Sequence, residues 1–391
     1  MNSQNTPVHI HLWHHDFWRM SVANLLITAS VYLLLPSFPL WLMESRGMNA
    51  SEVGIALGVF GLGLFLLGMF TSYLVQHFRR NVVCIYSLLG TIACLGALYY
   101  INCRPDAEST FYLVVLQRFL MGASFGLSQM ILSSTLIIDT CESFQRTEAN
   151  HAAAWFSRFA MSLGPIAGFV VYSYLGFSSV LLATIASTSL AIVLILLVHF
   201  PFRSPNDRVS VVSLDRFFLP HGTILFVNLL LITLAGGLLL SLALSLRFYA
   251  MMMVGFMLAI LAQRFVFLEA ELKSEVVSGL VLMIAAIVMM LTRSQAIVGY
   301  VAPLFISFSL GIIGSRFLLF FIKLSRHCQR GTSQSSFMLG WESGIALGLG
   351  LGYGVCQRDS DKTLILALVL VMLALALYQY THSWFLAHKN R

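Results

Sequence analysis

Four ionisable residues lie deep inside long apolar runs of this 391-residue chain: Arg118, Arg158, Arg316 and Glu342. Charge placed in hydrocarbon is costly and is kept for ion paths, proton relays or binding. Glu342 is the only carboxylate well inside such a run, which makes it the candidate proton carrier. Desolvation and nearby guanidiniums tune a buried carboxyl, so exposing it alternately to two sides can drive proton uptake and release. The competing reading is a static tether in which Glu342 pairs with an arginine and fixes helix packing. Arg118 is either an attractor for an anionic substrate or a proton-site partner, or else a hub that satisfies backbone carbonyls. Three arginines against one carboxylate predict a positive cavity suited to an anionic or polar substrate.

These residues must be positioned by membrane helices. Hydrophobic residues make up 58% of the chain and charged residues 10%, with a mean hydropathy of +0.85. A soluble domain carries roughly a quarter charged residues, so lipid is the solvent for most of this surface. Apolar runs occur near 18–43, 52–75, 81–101, 111–138, 152–174 and 177–200, then near 222–245, 248–268, 275–292, 296–324, 335–356 and 364–385. They are continuously apolar, without the alternation of barrel strands, and a span needs about 20 residues. The expected fold class is therefore an all-α membrane protein of twelve transmembrane helices. The polar stretch 201–221 divides it into an N-terminal bundle, 1–200, and a C-terminal bundle, 222–391.

The net charge of +7 does not form a basic stripe interleaved with aromatics, so nucleic acid is not an expected partner. With the N-terminus inside, fourteen of the 23 Lys and Arg residues fall in inner segments, among them Arg79, Arg80, Arg146, Arg264 and Arg330, and six in outer ones. That bias places both termini in the cytoplasm. The N-terminal segment has no basic n-region or cleavage site and reads as a retained tail, with Trp13 and Trp18 at headgroup level. Its His9, His11, His14, His15 and Asp16 have metal-ligand chemistry, but an interfacial tail accounts for them. The six cysteines contain no CxxC pair and read as small buried hydrophobes.

The second half echoes the first. QRTEANHAAAWFSRFAMSLGPIAG, from Gln145, aligns without gaps with QRGTSQSSFMLGWESGIALGLGLG, from Gln329. Arg146 meets Arg330, Gly164 meets Gly348, Gly168 meets Gly352, and Arg158 meets Glu342. In a frame three residues different, Gly68, Leu74, Gln76 and Phe78 meet Gly255, Leu261, Gln263 and Phe265. Asn24 and Asn228 open a weaker echo, Asn-Leu-Leu-Ile-Thr against Asn-Leu-Leu-Leu-Ile-Thr. Order and frame point to duplication, giving two pseudo-symmetric six-helix bundles.

Three patterns resemble the major facilitator superfamily over essentially the whole chain. Arg118-Phe-Leu-Met-Gly122-Ala-Ser-Phe-Gly126 fits its span-four R-x-x-x-G-x-x-x-G. Gly164-Pro165-Ile-Ala-Gly168 fits its span-five G-P-x-x-G, associated with antiporters. Ser72-Tyr-Leu74-Val-Gln76-His77-Phe-Arg79-Arg80-Asn81 is a degraded form of the loop G-x-L-x-D-R-x-G-R-R. The family's Asp, which helps latch the halves, is Gln76 here, so the latch must rest on other groups, such as Glu142 or Glu148 with Arg79 or Arg80.

The resemblance implies alternating access with spans five and eleven beside the half interface and span ten, with Arg316, lining the cavity. It implies Gln76, Arg79, Arg80, Glu142, Arg146, Gln263, Arg264 and Arg330 at a cytoplasmic gate. Asn24 and Asn228 join the charged residues as cavity candidates. Gly122, Gly126, Gly164, Pro165, Gly168, Gly348 and Gly352 are packing and hinge positions, where small residues allow close helix approach and Pro165 kinks or loosens its helix. The expected activity is proton-coupled efflux of a small molecule by a monomer in a bacterial inner membrane, without a cofactor or metal. Uptake by a symporter or uniporter is the alternative. No nucleophile elbow, HExxH or phosphate loop supports an enzyme or an ATP-driven pump.

Overall fold

The computed structural model describes residues 11–104, 110–200, 210–243, 245–267 and 270–389. His9 and residues 201–209 of the 201–221 connection, including Arg203 and Arg208, lie outside these. Helices occupy each of the twelve runs: α1 (His15–Tyr32) and α2 (Phe38–Glu44), α3 (Ala50–Gly63) and α4 (Thr71–His77), α5 (Arg80–Cys103), α6 (Thr110–Ile131) extended by a π-helical turn to α7 (Ile137–Asp139), and α8 (Arg146–Leu196). After the connection come α9 (Thr223–Ser241), α10 (Leu246–Phe265), α11 (Leu272–Thr292), α12 (Val298–Leu324), α13 (Arg330–Gly354) and α14 (Ser360–His388).

Nine helical stretches among the described residues are long and apolar enough to cross a membrane. One is α8, whose 51 residues run roughly 75 Å at 1.5 Å each, enough for two crossings. Its one non-helical residue is Gly176, at φ +76°, a conformation only glycine adopts cheaply. The break at Gly176 falls between the expected runs 152–174 and 177–200, and Pro165 stands inside the helix ahead of it. Helices α1 and α13 fall outside the nine. Helix α13 is buried along nearly its whole length, so protein rather than lipid sets its composition, and it carries Thr332, Ser333, Gln334, Ser335, Ser336 and Glu342.

Contacts sort the connections onto two ends. Arg46 donates to the carbonyls of Ile101 and Arg104, Asn102 to Ser178, and Ser51 to the Gly354 carbonyl, which defines a distal end. His14 bonds the Thr140 carbonyl and caps α1 through the Phe17 amide, and Arg19 reaches the Leu197 carbonyl, which defines the opposite end, where α1 begins, here called the terminal end.

The repeat is visible in the packing. A Cβ on Gly164 or Gly168 would strike α1 at Tyr32 and the Leu33 carbonyl; one on Gly348 or Gly352 would strike α9 at the Leu234 carbonyl and Ser241. Aligned glycines thus serve equivalent contacts. Gly122 and Gly126 seat α6 against the Phe60 and Leu64 carbonyls. Gly68 and Gly255 differ: the first faces the Phe217 ring, the second the Leu304 carbonyl and Ser307.

Candidate functional site: two chambers sharing Glu342

Glu342 stands twelve residues from either end of α13, about 18 Å along the axis each way. Two chambers meet there. The distal one is walled by α1, α2, α3, α6 and α13 and is apolar except for Tyr32, Arg118 and Glu342. The second lies toward the start of α1 and is more polar, with Asn24, Gln129, Ser133, Ser157, Arg158, Gln334 and Glu342 on its wall. Glu342 is the one residue that lines both.

The partner on Glu342 is a phenol. The Tyr32 hydroxyl donates to its Oε2 at 3.1 Å, and no ion pair among the described residues includes Glu342. Its frame-mate Arg158 lines the same chamber, yet donates from Nη1 to Ser315 Oγ at 2.9 Å and leaves Nη2 unbonded. The Arg158 guanidinium lies over Trp155 at 4.6 Å and Trp341 at 5.6 Å. Arg118 is held alike, over Phe38 at 4.9 Å and Phe60 at 4.8 Å. Its Nε has no partner and its Nη1 finds only Met121 Sδ at 3.6 Å. Arg118 is therefore not tied to backbone carbonyls as a packing hub would be.

Arg316 is placed differently from the sequence expectation. It lines neither chamber; its Nε and Nη2 hold Glu275 Oε2 at 2.6 Å, and the Glu275 side chain is buried. Glu275, the first residue of its apolar run, escaped the search for buried carboxylates because it borders polar sequence. Asn24 donates to the Ala153 carbonyl and Ser157 Oγ, tying α1 to the first half of α8. Asn228 donates instead to the Ala374 carbonyl and Thr381 Oγ1 on α14, so the two echoes do not bind equivalently, and only Asn24 reaches a chamber.

The latch also departs from expectation. Arg80 pairs with Asp139, not with Glu142 or Glu148. Gln76 donates to Ser72, and Ser72 donates to Asp215 in the inter-half connection at 3.2 Å. The other oxygen of Asp215 accepts from Thr332 Oγ1 on α13 at 2.9 Å, and the Leu219 amide donates to Ser336. A carboxylate is present between the halves, then, but it is supplied by the connection. Burial and the neighbouring Arg80 pull the Arg216 guanidinium below its ordinary range, while Asp215 and Asp139 oppose that. Among the other gate candidates, Arg146 and Arg330 open α8 and α13, Gln263 and Arg264 end α10, and Arg79 precedes α5. Glu142 lies in the turn before α8, with its carbonyl bonded to the Gln145 amide.

Tyr32, Gln129, Gln334 and Trp341 were missed as site residues. A signal existed: stepping three or four residues from Glu342 passes through Gln334, Met338, Ile345 and Leu349, one face of α13. The cysteines are all free; Cys84, Cys141 and Cys356 are buried, whereas Cys103 and Cys328 are exposed.

The family model of the Major Facilitator Superfamily matches residues 20–357. Among solved structures, a bacterial homologue of the iron transporter ferroportin in an outward-facing state aligns at TM-score 0.68 and 13% identity, over 95% of this chain and all of that one. The superfamily transporter FucP in the outward conformation aligns at 0.66 and 13% identity, over 95% and 99%. The human organic anion transporter MFSD10 aligns at 0.60 and 15% identity, over 91% and 98%. At such identities these likenesses carry the fold alone.

Proposed function

The chain belongs to the Major Facilitator Superfamily, and from that premise we propose that it is a secondary active transporter that carries a small molecule by alternating access, coupled to a proton held on Glu342. The supporting observation is the placement of Glu342 on the wall of both chambers. A carboxyl at that waist exchanges its proton with whichever chamber is open, without travelling itself. The moving bodies in this reading are the two related bundles, 1–200 and 222–391, joined by 201–221. The Tyr32–Glu342 bond crosses between them, so parting the bundles frees the carboxyl at the moment its chamber opens. In the same reading the protein sits in a bacterial inner membrane with both termini cytoplasmic.

The Gly164-Pro165-Ile-Ala-Gly168 pattern favours export in exchange for protons. A specific observation favours the second reading, uptake with a proton: the chambers hold two guanidiniums without a carboxylate partner. An anion near an ionised Glu342 is repelled, so anion and proton bind best together and travel the same way.

Proteoliposomes carrying an imposed pH gradient test the coupling. Wild type should accumulate solute against its gradient, while Glu342→Gln should retain solute exchange at zero gradient but lose accumulation. Unchanged proton-driven accumulation in Glu342→Gln removes that residue from the mechanism.

A further inference from the structure

Arginines in this chain are neutralised by carboxylates where a carboxylate is near: Arg316 by Glu275, Arg80 by Asp139, Arg19 by Asp16. Arg118 and Arg158 are more deeply buried than any of these, at 5% and 2% exposed, and pair with none. The aromatic rings within 6 Å of each offset part of the charge but accept no N–H bond along the guanidinium edge. Leaving such a group without an acceptor is costly, and the donor edge of a clamped guanidinium fits a planar or tetrahedral anion in bidentate fashion.

Resting on the transport reading above, we infer that the substrate is an amphipathic organic monoanion. Its acidic head, a carboxylate or sulfonate, sits on Arg118, and its apolar body fills the space among Val31, Leu35, Leu57, Ile345 and Leu349. The distal chamber offers no second cation, and Glu342 on its wall disfavours a second negative charge, so a dianion is selected against. The aliphatic lining of Val31, Leu35, Leu57, Ile345 and Leu349 suits a compact fused-ring or branched apolar body. Arg158, with Gln129 and Gln334 beside it, provides the second station for the same head in the more polar chamber.

The test uses the purified full chain in nanodiscs and three probes of one shape: 2-naphthalenesulfonate, the neutral 2-naphthalenesulfonamide and the cationic 2-naphthylmethylammonium. Equilibrium binding should favour the sulfonate at least tenfold over the sulfonamide. Arg118→Gln should erase that preference, and Arg118→Lys should restore part of it. Equal or tighter binding of the neutral or cationic probe, or no sulfonate binding at millimolar concentration, overturns the inference, and this comparison in wild type decides even if Arg118→Gln does not fold. Proteoliposome flux of the same probes separates the two proposals. Sulfonate bound but never transported leaves the anion site and removes the transporter; proton-coupled flux of the ammonium probe alone does the reverse.

Discussion

The hydroxyl of Tyr32 donates to Glu342 at 3.1 Å, a bond between α1 and α13 made by residues 310 apart in sequence. Both side chains are buried, and both line the distal chamber. In the alternating-access mechanism proposed above, the bond belongs to the closed arrangement and is given up when the chamber opens. Tyr32→Phe removes the donor and leaves a buried carboxyl without its partner, a loss of about 1–3 kcal/mol. If that loss falls on the closed form alone, the open population rises by roughly 5- to 150-fold. Maleimide labelling of a cysteine placed at Ala346, on the chamber wall, should accelerate correspondingly in Tyr32→Phe. An unchanged labelling rate would show that the bond does not oppose opening.

The pH dependence of anion binding follows from the groups around Glu342. Tyr32 faces it from α1, Arg118 shares the distal chamber from α6, and Arg158 shares the other from α8. Only Glu342 among them changes charge in an ordinary working range. A sulfonate stays ionised throughout, so acidification removes a negative charge from the chamber wall without altering the ligand. Affinity for 2-naphthalenesulfonate should rise as pH falls and level off once Glu342 is protonated. Glu342→Gln should bind with a pH-independent affinity close to the acid limit of wild type. A persistent slope in that variant assigns the titration to another group.

At the distal end α3 and α13 meet backbone against backbone. A Cβ on Gly54 of α3 would lie 2.4 Å from the Gly354 nitrogen, and one on Gly350 would lie 2.9 Å from the Gly54 carbonyl. Neither neighbour is a flexible side chain that can turn aside. Gly54→Leu should therefore hold α3 and α13 apart and trap a distally open form. Cysteine at Leu57 should then label from the distal side, and solute exchange should fall at least tenfold. A variant that still closes, protects that cysteine and transports normally contradicts this account.

The helices were legible because lipid imposes its rule on every residue that faces it, and runs such as 81–101 and 364–385 needed no tertiary information. The weak point was α13, where protein replaces lipid and Gln334, Ser335 and Ser336 dilute the apolar signal; the helix begins at Arg330, ahead of the apolar run at 335. Glu342 and Arg118 were legible as costly exceptions to an apolar rule. Their partners were not. Tyr32 carries no charge to mark it, and Glu275 sits at the junction with polar sequence, where a carboxylate attracts no notice. Asp215 was hidden by topology, since a residue in the connection reaches α13 only once the chain has folded.

Asp215 carries a prediction of its own. It accepts from Ser72, in the helix where the family's loop motif would begin, and from Thr332 at the start of α13, and so joins the two halves at the terminal end. Gln76, in the place of the family's Asp, reaches only Ser72. Asp215→Ala should loosen the terminal end and increase labelling of a cysteine at Gln334 in the polar chamber, whereas Gln76→Ala should have a smaller effect. Hydrogen bonds to a charged acceptor contribute roughly 1.5–3 kcal/mol each, so losing both should shift the equilibrium by tenfold or more even after solvent screening at this half-exposed site. The reverse order of effects would return the latch to the α4–α5 loop.

Glu275 and Arg316 form the remaining buried pair, and their role is separable from transport. The carboxylate is almost wholly buried, and the pair joins α11 to α12 away from both chambers. Removing one partner of such a pair strands a charge and costs about 3–5 kcal/mol, whereas replacing both by apolar groups of similar size is often neutral. Glu275→Gln should therefore lower the thermal midpoint in detergent by several degrees, as should Arg316→Met. The double variant Glu275→Leu with Arg316→Met should recover most of the loss and keep proton-driven accumulation, because neither residue touches the Glu342 waist. If the stable double variant instead loses coupling while retaining exchange, Arg316 belongs to the proton path after all, and the static assignment of this pair is wrong.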